Sequence, residues 1–129
     1  MQGLAQRKGR YGCTRCGLVM VTKASACGEG CDLHYLASKK EARRFRDLWT
    51  MQQAGAIKGL RLQPAYSLVV NGIKVGSYRA DFRYTDTETG EAVVEDVKSR
   101  GSDDGLSKLK RNLVRAIHGV DIKIIGVTR

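Results

Sequence analysis

Asp81 and the run Asp96-Val97-Lys98 carry the chemistry most readily read from this sequence, inside the stretch YRADFRYTDTETGEAVVEDVKSR from Tyr78 to Arg100. The stretch reads as two strands around an acidic turn. Side chains alternate across a strand, so Asp96 and Lys98 share one face while Val97 points away. On the first strand Tyr78, Ala80, Phe82 and Tyr84 form an apolar face, and Asp81 lies between Arg79 and Arg83 on the other. Pairing the strands brings two acids and a lysine to one patch, which suits a divalent metal held beside a phosphodiester. The alternative is a salt-bridged sheet surface with no chemistry.

The four cysteines form a second constellation: Cys13-x-x-Cys16-Gly17, then Cys27-x-x-x-Cys31 after ten intervening residues. Two such clusters suit tetrahedral Zn²⁺, and a structural site is expected because four protein ligands leave no open position. A metal also stabilises a segment too short to build its own core. The three-residue spacing of the second pair is less usual, and His34 is an alternative fourth ligand. Two disulfides or unliganded thiols are the competing readings.

The 129-residue chain has 23 Lys and Arg against 13 Asp and Glu, a formal charge of +10 that points to a polyanionic partner, nucleic acid first among them. No apolar run approaches the roughly 20 residues of a membrane span. The first ten residues, MQGLAQRKGR, lack the apolar segment of a secretory signal and read as a basic arm. The expected location is a cytoplasm, where cysteines favour metal over disulfides.

These residues need elements to position them. ASKKEARRFRDLWTMQQA, 37–54, reads as a helix with Ala42, Phe45, Leu48 and Trp49 on one side and Arg43, Arg44 and Asp47 on the other. Ser38 and Glu41 form a capping-box pattern, so Glu41 has a purely local reading. Residues 60–70 read as a strand with Pro64 at its start or edge, and Asn71-Gly72 as a hairpin turn. With Tyr78–Tyr84 and Ala92–Ser99 the expectation is a three-stranded meander. Leu106, Leu109, Leu113 and Ile117 mark a second helix, basic outside through Lys108, Lys110, Arg111 and Arg115, before a last strand at 121–127. The division expected is a basic arm and four-cysteine zinc segment at 1–34, then one domain at 35–129.

This order of elements, with these acids, resembles the PD-(D/E)xK, or restriction-endonuclease-like, nuclease superfamily. Within it, SKKEARRF, LQPAYSL, YRADFRY and VVEDVKS resemble an uncharacterised phage-borne family similar in form to small Holliday-junction resolvases. The likeness covers about residues 34–126; Ala80 replaces the signature proline, and Asp96 the more usual Glu. It implies an α/β fold of the α+β mixed-sheet kind, with an α-β-β-β-α-β core. It implies Asp81 and Asp96 as ligands of Mg²⁺ or Mn²⁺, Glu41 from the first helix as a third site acid, and Lys98 beside the attacked phosphate. Since the lysine must accompany its acid, parity selects Asp96 over Glu95, which then ligates at a distance, pairs with an arginine or lies on the other face. Gln63 is a further candidate for site support.

The implied activity is a Mg²⁺-dependent endodeoxyribonuclease acting on branched DNA, in phage recombination or replication within a bacterial host's cytoplasm. Lys39, Lys40, Arg43, Arg79, Lys108 and Arg111 are the expected backbone contacts. Symmetric junction cutting implies a homodimer. The alternatives are a nuclease acting on linear duplex DNA and a non-catalytic zinc-containing DNA-binding module.

Overall fold

The computed structural model describes residues 10–17, 19–20, 33–99, 101 and 103–126. Most of the basic arm, together with Cys27 and Cys31, lies outside them. The elements are β1 (Arg10–Cys13), β2 (Val19–Met20), β3 (Leu33–Leu36), α1 (Lys39–Gln53), β4 (Ile57–Leu62), β5 (Ala65–Val70), β6 (Ile73–Arg79), β7 (Phe82–Asp86), β8 (Ala92–Val97), α2 (Gly105–His118) and β9 (Ile122–Ile125).

The fold is a mixed α+β arrangement around a four-stranded sheet of order β4-β7-β8-β9. Its first two pairings are antiparallel, and β8-β9 is parallel across the α2 crossover. One face packs on α1 through Phe45, Leu48, Ile57, Leu62, Phe82 and Tyr84. A second core joins Leu68, Tyr78 and Ala80 to Val94 and Val114 of α2. Alternation along β8 supplies both cores, Val93 and Val97 on the first and Val94 on the second.

The meander differs from the sequence pattern. Residues 57–86 form one long hairpin around Asn71-Gly72, bent in the middle so that its far half, β5-β6, becomes a separate two-stranded sheet. The bend falls where proline removes an N–H and Gln63 takes a left-handed φ of 57°. Pairing continues through it, with Gln63 N–H donating to Asp81 O at 2.8 Å and Ala80 N–H to Pro64 O at 3.0 Å. Tyr78, Ala80, Phe82 and Tyr84 are all buried, as alternation predicts, but the bend sends the first two into one core and the last two into the other.

The helix ends follow the sequence. Ser38 Oγ accepts the Glu41 N–H at 3.1 Å, and Asp104 Oδ1 accepts the Ser107 N–H at 2.8 Å. In α2, however, Leu106 and Leu109 are 61% and 56% exposed, and only Val114 is fully buried. The expected stripe is therefore half unused.

A small sheet of order β2-β1-β3 packs on α1. Gly17, at φ 74°, ends the turn after Cys13, and a side chain there would collide with the Trp49 indole. Trp49 is the single tryptophan of the chain, so its fluorescence reports this contact. Gly17→Ala is expected to lift the turn off the indole and red-shift the emission, while far-ultraviolet circular dichroism of the α1 domain stays unchanged.

Candidate active site

Asp81 sits at the bend, one residue before β7. Its backbone N–H donates to Glu95 O at 3.0 Å, and its carboxylate Oδ2 accepts the Val97 N–H at 2.7 Å. The carboxylate thus takes the place in the ladder that a strand carbonyl would fill had the chain not turned away. The ladder that continues the sheet also fixes this acid.

Glu41, on the first turn of α1, is buried and meets Asp81 in a carboxyl–carboxyl hydrogen bond. Burial is the main cause that pushes its pKa up from 4.5 to about 8, with the Asp81 charge next and Asp96 adding less. The Ala37 N–H opposes the rise. The Glu41 carboxyl thus meets the N–H one residue before the N-cap, rather than that of Ser38, as well as Asp81. Burial likewise raises Asp81, against the Val97 N–H, Lys98, its bond to Glu41, and Arg79. The charge of each acid therefore opposes ionisation of the other, one buried and one half-buried.

Asp96 is buried on β8, its Oδ2 accepting the Tyr78 hydroxyl and lying 3.5 Å from Lys98 Nζ. Burial raises its pKa, Lys98 and Arg111 lower it, and Asp103 adds to the rise. Among the described residues no three His, Cys, Asp or Glu side chains already converge as a metal ligand set. Glu41 and Asp81 are in contact, while Asp96 is turned to its tyrosine and lysine.

Glu95 is fully buried on the opposite face of β8. Arg44 grips it through Nε–Oε1 at 2.8 Å and Nη2–Oε2 at 2.6 Å, and the Tyr84 hydroxyl donates to Oε2. Bonding to Glu95 raises the Arg44 pKa, and burial foremost raises that of Tyr84. Arg44, which the helical pattern put on the outer side, instead reaches into the sheet. Gln63 turns its side chain to Tyr35 O at 2.6 Å, and its backbone, rather than its amide, supports Asp81.

Of the expected phosphate contacts, Lys39, Arg43, Arg79 and Lys108 are exposed. Lys40 Nζ lies 3.4 Å from Gly126 O, and with Arg43, Arg44, Asp47, Val97 and Ile125 it lines a cleft of about 290 Å³. Arg111 is committed to Asp103 in a two-point pair at 2.7 and 2.8 Å. Tyr78 and Asp103 escaped the sequence reading: the tyrosine counted as core, and the aspartate fell in a loop without pattern. No helix among the described residues is long and apolar enough to cross a membrane.

Cys13 and Cys16 hold their sulfurs 3.4 Å apart across a turn closed by Gly17 N–H to Cys13 O at 2.8 Å. That separation exceeds a disulfide bond of about 2.05 Å and leaves the two thiols in hydrogen-bond contact, with either sulfur able to donate.

Residues 29–127 match the model of the family described as Protein of unknown function (DUF1064). No curated protein and no solved structure matches the chain.

Two variants test the two carboxylate environments. Glu41 binds a proton more tightly folded than unfolded, so folding takes up protons between pH 4.5 and about 8 and metal-free stability falls as pH rises through that window. Glu41→Gln is expected to flatten the decline, read as Tm against pH. Arg44→Met leaves Glu95 buried without its cation and is expected to cost about 3–5 kcal/mol in urea unfolding.

Proposed function

The chain belongs to the DUF1064 family, and we propose that it is a metal-dependent endodeoxyribonuclease of the PD-(D/E)xK type, hydrolysing phosphodiester bonds in branched DNA. One observation carries this reading. Glu41 from α1 and Asp81 from the bend meet carboxyl to carboxyl where burial raises both pKa values, and β8 presents Asp96 and Lys98 beside them. Carboxylates forced together at a net cost favour a hard divalent cation in exchange for their proton. Asp81 and Glu41 are the first ligands assigned, and Asp96 the third.

A bound Mg²⁺ or Mn²⁺ supplies a Lewis acid and a polarised water. Lys98 orients that water or offsets charge developing on the phosphate, and Asp96 holds the ammonium in place. Lys39 and Arg43, exposed on α1 near Glu41, are the contacts proposed for the DNA backbone. This contact set reads charge and shape rather than bases, which supports structure-specific over sequence-specific action. A homodimer is part of the proposal for paired cuts at a four-way junction. The small N-terminal sheet is proposed to hold a structural Zn²⁺, with Cys13 and Cys16 as two of its ligands.

The test incubates the protein with a labelled four-way junction or the matching linear duplex, with Mg²⁺, Mn²⁺ or EDTA. Cutting is expected to need the cation and to fall about a hundredfold or more in Asp96→Asn and Asp81→Asn, with DNA binding retained. Equal cutting of both substrates discards the branched-DNA preference alone. Binding without cutting under every metal condition overturns the enzyme in favour of a zinc-containing DNA-binding module.

A further inference from the structure

Among the described residues the exposed large apolar side chains are confined to two elements. Val69, Val70, Ile73 and Val75 belong to the β5-β6 hairpin, and Leu106 and Leu109 to α2. Ile73 is 66% and Val75 56% exposed. The tip is narrow, since Asn71 and Gly72 at φ 51° and 79° close a two-residue turn. Six residues of β5 carry it about 20 Å from the bend.

A lone two-stranded hairpin is marginal in water, so its lower half needs support. Leu68 and Tyr78 pack on Val114, and a ring nitrogen of His118 lies 2.7 Å from Ser67 O. Beyond Leu68 the register shifts, and the apolar residues of the tip stand exposed. The arm is also rooted at the candidate site, because Tyr78 near its base donates to Asp96 and Asp81 follows β6 by two residues.

Charge selects the occupant. Neither Ala65–Arg79 nor Gly105–His118 contains an Asp or Glu, and beside Arg111 and Arg115, which face Asp103 and Asp121, the two elements carry Lys74, Arg79, Lys108 and Lys110. A second copy meeting this face across a twofold axis would bring those cations against their own images. A polyanion with apolar faces to offer, nucleic acid with unstacked bases, meets both features.

We propose that the β5-β6 hairpin is a wedge, inserting Val70 and Ile73 against unstacked bases at the branch of a DNA that lies over the Asp81–Asp96 site. This deepens the nuclease reading and rests on it for the DNA's place over the acids. The wedge supplies preference for branches, where bases are already partly unstacked and the cost of insertion is least.

The experiment places 2-aminopurine at the branch point of a forked DNA, or centrally in a linear duplex, without divalent cation so that no cutting is required. Wild-type protein is expected to raise the fluorescence of the fork. Val70→Ser/Ile73→Ser is expected to lose that rise and bind the fork about tenfold more weakly, with an unchanged Kd for the duplex. Both positions are exposed, and circular dichroism checks that the variant folds. An equal rise and affinity in the variant overturns the wedge, as does failure of the wild type to bind the fork. A DNA-free wild-type dimer that the substitutions render monomeric, seen by sedimentation, also overturns it and assigns the face to a second copy. A wild type that unstacks the fork yet never cuts with Mg²⁺ or Mn²⁺ sinks the nuclease reading alone.

Discussion

The bend at Gln63-Pro64 and Ala80-Asp81 is the constraint on which the rest of the structure depends. A hairpin running straight from 57 to 86 would leave a single extended sheet, with Asp81 one more outward side chain. Because the hairpin turns, β7 leaves β8 at Asp81 and a backbone N–H of β8 loses its expected strand partner. The Asp81 carboxylate accepts that N–H at 2.7 Å. One side chain closes the ladder, pins the bend and is held in the position where Glu41 meets it. An unpaired buried N–H costs a large part of a hydrogen bond, so the arrangement is favoured by elementary backbone accounting before any chemistry is considered.

The neighbouring acids of β8 are buried under opposite terms. Glu95 has a two-point guanidinium and a phenol, so its charge is compensated where it stands. It ties α1 to the sheet and leaves no lone pair in obvious need of a cation. Asp96, on the other face, has Tyr78 and Lys98, while Glu41 and Asp81 have each other and one backbone N–H apiece. A fully compensated acid and a partly compensated one thus occupy consecutive residues, separated only by the alternation of a strand.

The two ends of α1 serve different neighbours. Its first turn delivers Glu41 to the bend, while Phe45 and Trp49 receive Gly12 and Gly17 of the small N-terminal sheet. Glycine at both contacts lets the β1 backbone and the cysteine turn lie directly on aromatic rings. The same helix therefore links the cysteine segment to the acids through a rigid body of about four turns.

Much of this was determined by the sequence itself. The Ser38-x-x-Glu41 start, the Asn71-Gly72 turn, the shared parity of Asp96 and Lys98, and the places of the two helices all depend on neighbours a few residues apart. Backbone geometry fixes such relations locally. Tertiary structure decided what depends on distant partners. Tyr78 and Phe82 share one alternation, yet the bend separates them into two cores. Arg44 follows the helix's polar side, yet Glu95, fifty-one residues away, draws it inward. Leu106 and Leu109 complete a helical stripe, but burial requires a surface opposite them, and the sheet meets only the α2 side that carries Val114. Periodicity states which residues share a face; whether anything covers that face is a property of the whole chain's packing.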